Sequence, residues 1–265
     1  MQRPWSTQRD HDNWRWQNPG MYLARAIAGR MPARLRDLVR PPFPAAARPW
    51  VRGSFAQTGE DLIVQFLFRD ILGVSRPGYL DIGAYHPFHL SNTALLHLSG
   101  SSGINVEPDT ESFELFRRHR PRDVNLNVGV GAEPGRLTFF RMSTPTLSTF
   151  SRADAERIHA EGEYRIEQEI DVQVRPVGDL LRSIGRDCPD LLSIDVEGND
   201  LDILRTMPEW PGRPTVVCAE TLTFAKLGTE QKVPEVAAVL GDLGYLPVAE
   251  TYINTVFVSA SAWGR

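Results

Sequence analysis

The sequence predicts an α/β fold: a mostly parallel, Rossmann-like sheet of seven strands, flanked by helices and closed by an antiparallel C-terminal hairpin. Three observations carry that prediction. From Ser54 onward, short apolar β-rich runs alternate with amphipathic stretches, the pattern of a parallel sheet covered by helices. The last two runs are separated only by Tyr252, Ile253 and Asn254, and a parallel return needs roughly a dozen residues or more, so they must pair antiparallel. At about 150 residues per domain, a chain of 265 residues holds one or two domains and a core that needs no staples.

Taken in order, a helical candidate over 60–72 precedes the strand run 78–82, and a helix over 91–98 leads to the run 103–107. Pro108 stops that run, and Thr110 is placed to cap a helix over 110–118. The run 123–128 follows. An insertion between Gly131 and Val177 then breaks the rhythm, with a hairpin strand at 136–142, a polar run at 143–149 and a charged amphipathic stretch at 152–169. A loop of that length is more often functional than accidental, and it is the natural lid over a substrate. The rhythm resumes with helix 177–183, run 191–196, helix 200–207, run 215–220, helix 233–243 and the hairpin runs 245–250 and 255–259.

Hydrophobic residues at 42% and charged residues at 23% sit near globular averages and argue against disorder or coiled coil. No stretch of roughly 18 or more uncharged apolar residues occurs, so no transmembrane segment is expected. Cys188 and Cys218 have neither a CxxC partner nor a nearby histidine pair, which speaks against a disulfide framework or a zinc ribbon and suits a reducing, cytoplasmic setting. The net charge of −4 hides an asymmetry. Residues 1–52 carry ten arginines against three aspartates, net +7, among seven prolines and four tryptophans, which leaves −11 for 53–265. The chain therefore divides into a basic Pro/Trp-rich arm over 1–52 and a main domain over 53–265. An acidic body is a poor platform for nucleic acid, whose phosphates need positive surface.

In an open α/β sheet a ligand binds beyond the carboxyl ends of the strands, where the strand order reverses. The first run ends in Asp81-Ile82-Gly83-Ala84-Tyr85-His86-Pro87, with Gly83 free to make a tight turn. The second ends in Glu107, 26 residues after Asp81, a spacing that suits a carboxylate accepting from both hydroxyls of a ribose. The dinucleotide fingerprint G-x-G-x-x-G is broken, because its second and third glycine positions hold Tyr85 and Phe88. Without that phosphate cradle, a nucleoside ligand such as S-adenosylmethionine is favoured over a nicotinamide dinucleotide. The fourth run ends in Asp195-Val196-Glu197, with both carboxylates on one face while the strand persists, and the fifth ends in Glu220-Thr221.

These pieces resemble the FkbM-type family of S-adenosylmethionine-dependent methyltransferases, whose sheet is the class I methyltransferase sheet. The resemblance rests on Phe55-Ala56-Gln57-Thr58-Gly59-Glu60-Asp61, Tyr79-Leu80-Asp81-Ile82-Gly83-Ala84, Leu90-Ser91-Asn92-Thr93, Gly103-Ile104-Asn105-Val106-Glu107-Pro108 and Ile194-Asp195-Val196-Glu197-Gly198. It spans Ser54 to about Ser259 and leaves out the arm. It implies an O-methyltransferase acting on a hydroxyl of a sugar, glycan or natural product. It also implies that Asp81, Gly83 and Ala84 line the methionine half of the cofactor, that Glu107 takes the ribose, and that Asn127 and Gly129 border the adenine. Gln57 and Asp61, on the preceding helix, would close the amino-acid end, and Asn92 belongs to the same cofactor set. The chain departs from the general methyltransferase pattern at Tyr85-His86-Pro87, where another glycine is usual.

An alcohol is a poor nucleophile at neutral pH, so a base or a metal must take its proton during methyl transfer. His86, Asp195 and Glu197 are the candidate catalytic groups, with Glu220 beside them. Asp195 and Glu220 could instead hold a divalent metal, Mg or Mn, through hard oxygen ligands. Two other readings of the residues stay open: a nicotinamide-dependent oxidoreductase on a Rossmann sheet, and a non-catalytic scaffold of the same fold. The implied partner is a small-molecule or glycan acceptor.

Overall fold

The computed structural model describes residues 53–196, 198–223 and 231–264. The basic arm over 1–52 and Glu197 lie outside the described residues. The elements run α1 (Glu60–Phe66), continued by a π-helical turn over Leu67–Ile71, β1 (Tyr79–Ile82), α2 (Ala94–Leu98), β2 (Gly103–Val106), α3 (Thr110–His119), β3 (Val124–Leu126), β4 (Gly129–Val130), β5 (Gly135–Met142), α4 (Arg152–Ala160), β6 (Ile166–Arg175), α5 (Val177–Ser183), β7 (Leu191–Ile194), α6 (Asp200–Arg205), β8 (Val216–Glu220), α7 (Pro234–Asp242), β9 (Tyr245–Glu250) and β10 (Asn254–Ser259).

Seven strands form the main sheet in the order β3-β2-β1-β7-β8-β10-β9. The first five in that order pair parallel, and β10 runs antiparallel to both β8 and β9. This is the architecture the sequence predicts. Alternate side chains of a strand enter opposite faces. Leu80, Ile82, Leu192 and Ile194 thus pack in one core with residues of α5, α6 and α7, while Tyr79, Leu191, Val216 and Cys218 pack in the other with residues of α1 and α2. Covered on both faces, β1 and β7 are buried at every position, as central parallel strands are.

The insertion is more ordered than its polar sequence implies. Its stretch over 152–169 divides into α4 and the start of β6, and β6 pairs antiparallel with β5 and parallel with β4 in a second, three-stranded sheet. Ile170, Val172 and Val174 carry the two-residue period of a strand, but the acids among them disguise it as helix surface. Phe140, Met142, Ala155 and Ile158 give the insertion its own small core. Arg141 fastens it to α3 through both carboxylate oxygens of Glu111.

Two boundaries differ from the expectation in ways that matter for the site. Asp109, rather than Thr110, caps α3: its Oδ1 accepts from the Ser112 N–H at 2.9 Å. The strand β7 stops at Ile194, so Asp195 stands in the following loop and shares no strand face with a second acid.

Candidate active site

At the boundary of β1 and β7 the strand order reverses, and the carboxyl ends of β1, β2, β7 and β8 open into a cavity of about 540 Å³. Its described lining includes Gln57, Asp81, Gly83, Ala84, Asn92, Glu107, Asp195 and Glu220 from the expected set. The segment from Pro145 to Phe150, together with Phe139, forms a wall supplied by the insertion. Phe139 and Phe150 pack against each other with ring centroids 5.0 Å apart and planes tilted by 57°.

Gly83 has φ +73, and a Cβ there would stand 1.9 Å from the Asp195 backbone oxygen. The two strand-end loops touch at this point, and only glycine allows it. Tyr85, Leu90 and Tyr252 are the described non-glycine residues with positive φ, and all three line the cavity. Strained backbone of this kind collects where function demands a shape.

Each strand end holds an acid, and their surroundings differ. Asp81 accepts from the Thr93 hydroxyl at 2.6 Å and is also bonded by Ser193. Burial pushes its carboxyl above the usual range against those hydrogen bonds. Glu107 accepts from the Tyr85 N–H at 2.7 Å with Oε2 and from the Asp109 N–H at 2.8 Å with Oε1. Burial raises it to about 7, although both backbone donors oppose the rise. Asp195 is hydrogen-bonded to Glu220, its neighbour across the β7–β8 boundary. Desolvation first, and then the charge of Asp200, push Asp195 up to about 7. Asp200 accepts from the Val196 N–H at 3.2 Å and is itself raised by burial to about 6.

Several expected residues serve elsewhere. His86 does not line the cavity: its Nδ1 accepts from the N–H groups of Phe88 and His89 at 3.1 and 3.0 Å, which makes it a loop organiser. Burial lowers its pKa further. Asp61 is turned away as well, accepting from Ser54 Oγ and the Phe55 N–H, and so it shapes the loop that delivers Gln57. Gln57 itself precedes α1 and is not on the helix. Asn127 ties β3 to β2 by donating to the Glu107 and Pro108 carbonyls. Gly129 makes room for Phe150, whose ring would lie 2.8 Å from a Cβ at that position. The cavity is bordered there by Val128 and Val130 instead.

Sequence reasoning missed Thr93 and Ser193, whose hydroxyls hold Asp81, and Asp109. Asp109 Oδ2 is buried with no hydrogen-bond donor, although the Arg141 guanidinium lies 3.4 Å away. The Asp-Thr pair after Pro108 was the available signal, because aspartate outranks threonine as a helix cap. Among the described residues no group of three or more His, Cys, Asp or Glu side chains is disposed to hold a metal. Asp195 and Glu220, the expected metal pair, are hydrogen-bonded to each other.

The family model described as the methyltransferase FkbM domain matches residues 81–247, well over half the chain. The chain belongs to the FkbM methyltransferase family. That match sets aside the nicotinamide alternative. Among solved structures, the chain is similar to the 1,6-didemethyltoxoflavin-N1-methyltransferase of Burkholderia thailandensis, at 13% identity and a TM-score of 0.38 over 97% of this chain and 91% of that one. It is also similar to an O-methyltransferase of Bacillus cereus in complex with SAH, at 13% identity and a TM-score of 0.35 over 80% and 84% of the two chains. A precorrin-6y C5,15-methyltransferase of Geobacter metallireducens follows at 10% identity and a TM-score of 0.34 over 79% and 93%. No curated protein matches the sequence. Among the described residues no helix is long and apolar enough to cross a membrane.

Proposed function

We propose that this FkbM-family protein uses S-adenosylmethionine to methylate a hydroxyl of a sugar, glycan or natural-product acceptor, with Asp195 receiving the hydroxyl proton. The pair Asp195–Glu220 in the cavity wall carries this reading. Burial and the charge of Asp200 hold the Asp195 carboxyl well above the usual carboxylate range, which moves it toward the pH at which a general base works best. The Glu220 hydrogen bond gives the Asp195 carboxyl a fixed partner, so that on attack the acceptor proton passes to a carboxylate already held in place.

The other half of the cavity suits the cofactor. Asp81 and Glu107 offer carboxylate oxygens to the ammonium and hydroxyl donors of a nucleoside amino acid. Val106, Val128 and Val130 offer apolar surface for a flat base, and the donor-poor Asp109 Oδ2 suits an exocyclic N–H. The bound cofactor supplies a methyl group on a cationic sulfur. The chain's own work is to hold the acceptor oxygen in line with it, to exclude water with the wall from Pro145 to Phe150, and to take up one proton. Asn92 lines the cavity with its Nδ2 reaching Ser193 Oγ at 3.4 Å, and it belongs to the proposed cofactor set. The acceptor is a small molecule or glycan, and a reducing cytoplasm suits the two free cysteines.

Calorimetric titration with S-adenosylmethionine, S-adenosylhomocysteine and NAD tests the cofactor. The first two should bind and NAD should not. An acceptor panel of sugars and hydroxylated natural products, read by mass increase of one methyl group and by product structure, tests the O-directed chemistry. Exclusive methylation of nitrogen or carbon would refute it.

A further inference from the structure

Arg120 is completely buried and is the largest of the fully buried side chains described. A buried guanidinium persists only when its donors are matched, and all five are. Nε and Nη2 donate to the Pro87 carbonyl, Nη2 also donates to Ser91 Oγ at 2.9 Å, and Nη1 donates to Thr93 Oγ1 at 2.8 Å and to Asn105 Oδ1 at 3.3 Å. Three of these four acceptors, Pro87, Ser91 and Thr93, belong to the loop between β1 and α2 that borders the cavity.

The contact with Thr93 has a directional consequence. A hydroxyl owns one proton and can accept through its lone pairs. With Arg120 donating to it, Thr93 Oγ1 must spend its proton elsewhere, and Asp81 Oδ2 lies 2.6 Å away. The guanidinium charge also favours the ionised form of Asp81 against the burial that opposes it. We infer that Arg120 and Thr93 are positioning residues, a relay of guanidinium to hydroxyl to carboxylate that holds Asp81 oriented for the amino-acid end of the cofactor. This rests on the proposal that Asp81 faces that end. Thr93 Oγ1 also matches one of the buried Arg120 donors, so a purely structural role predicts equal losses for every ligand in its variants, whereas the relay predicts a loss confined to the amino-acid end.

The test compares two ligands by calorimetry: S-adenosylhomocysteine, and 5′-methylthioadenosine, which keeps the nucleoside but lacks the amino-acid portion. Thr93→Val should weaken S-adenosylhomocysteine roughly tenfold, the loss expected for a hydrogen bond to a charged group, and leave 5′-methylthioadenosine unchanged. Thr93→Ser should restore the affinity. Arg120→Lys, which keeps the charge and loses the fork, should show the same selective loss if it folds. Unchanged S-adenosylhomocysteine affinity in Thr93→Val, or equal losses for both ligands, would overturn the relay while leaving the cofactor assignment standing. A wild-type protein that binds neither ligand would sink the cofactor assignment and the relay with it.

Discussion

At the ends of β1 and β2, Asp81 and Glu107 meet donors: the hydroxyls of Thr93 and Ser193 for the first, the backbone N–H groups of Tyr85 and Asp109 for the second. At the ends of β7 and β8, Asp195 meets acids instead, with Glu220 bonded to it and Asp200 raising it. The residue chemistry is the same, and the company differs. Donors hold a carboxylate still and ready to accept more hydrogen bonds from a ligand. Burial first, and then the charge of Asp200, make the Asp195 carboxyl reluctant to lose its proton, while its hydrogen bond with Glu220 acts the other way; burial raises Glu107 as well, so the partners rather than the direction of the shift separate the two sites. In the function proposed above, the first pair binds the cofactor and Asp195 takes up the proton.

That contrast can be broken most sharply at Asp195. Asp195→Asn should lower kcat by roughly 10²- to 10⁴-fold, the usual worth of a positioned base, and change S-adenosylhomocysteine affinity little. Steady-state kinetics on an accepted substrate, set beside calorimetry, would show it, and a variant of undiminished kcat would move proton uptake elsewhere. At the ribose end, Glu107→Ala should weaken S-adenosylhomocysteine at least tenfold, since hydrogen bonds to a charged acceptor are worth roughly 1.5 to 3 kcal/mol. Unaltered affinity in a folded variant would remove Glu107 from the site.

Titration sharpens the same comparison. Glu107 accepts from ligand hydroxyls most strongly when ionised, and burial raises its pKa to about 7. S-adenosylhomocysteine should therefore bind progressively more weakly as pH falls below about 7, and a flat profile there would deny Glu107 that role. Stability of the ligand-free protein should run the opposite way. Glu107 and Asp195 at about 7 and Asp200 at about 6 stand above their ordinary values of 4.5, 3.8 and 3.8. Between those ordinary values and the raised ones, the folded state binds more protons than the unfolded state, so stability falls as pH rises through the window. Glu60 acts in the other sense. Burial would raise it, but hydrogen bonds from Thr58, Asn254 and Thr251 overcome this and hold it low, so its contribution is lost only as pH falls below the ordinary carboxylate range. Thermal melts should give a higher Tm at about pH 5.5 than at about pH 8. The reverse order would contradict the raised acids.

The smallest effects are expected where neither site is touched. A chain beginning at Ser54 should fold and bind S-adenosylhomocysteine as the full chain does, because every described element lies beyond it. Insoluble truncations beside a soluble full-length protein would make the arm part of the core. Exhaustive chelation should leave turnover unchanged, and activity recovered only with Mg²⁺ or Mn²⁺ would return Asp195 and Glu220 to the role of metal ligands.

Most of the fold was present in the sequence, since strands buried on both faces and helices packed on them must show as apolar runs of fixed period. The seven sheet strands and their antiparallel finish followed from that, as did the acids at the strand ends, because ligands in such sheets gather at the carboxyl edge. Tertiary structure decided which of those residues face the cavity. His86, Asp61 and Asn127 sit in the right motifs, but His86 Nδ1, the Asp61 carboxylate and the Asn127 amide are engaged by neighbouring backbone and hydroxyl groups, and hydrogen-bond partners are settled by loop paths that no periodicity records. The strand β6 was hidden because the period of its isoleucine and valines was diluted by acids that only a partner strand makes sense of. Arg120 was invisible for a similar reason. A buried guanidinium reads in sequence like any surface arginine, and only the arrival of Pro87, Ser91, Thr93 and Asn105 around it, brought from β2 and from the loop after β1, makes it a support of the loop that borders the cavity.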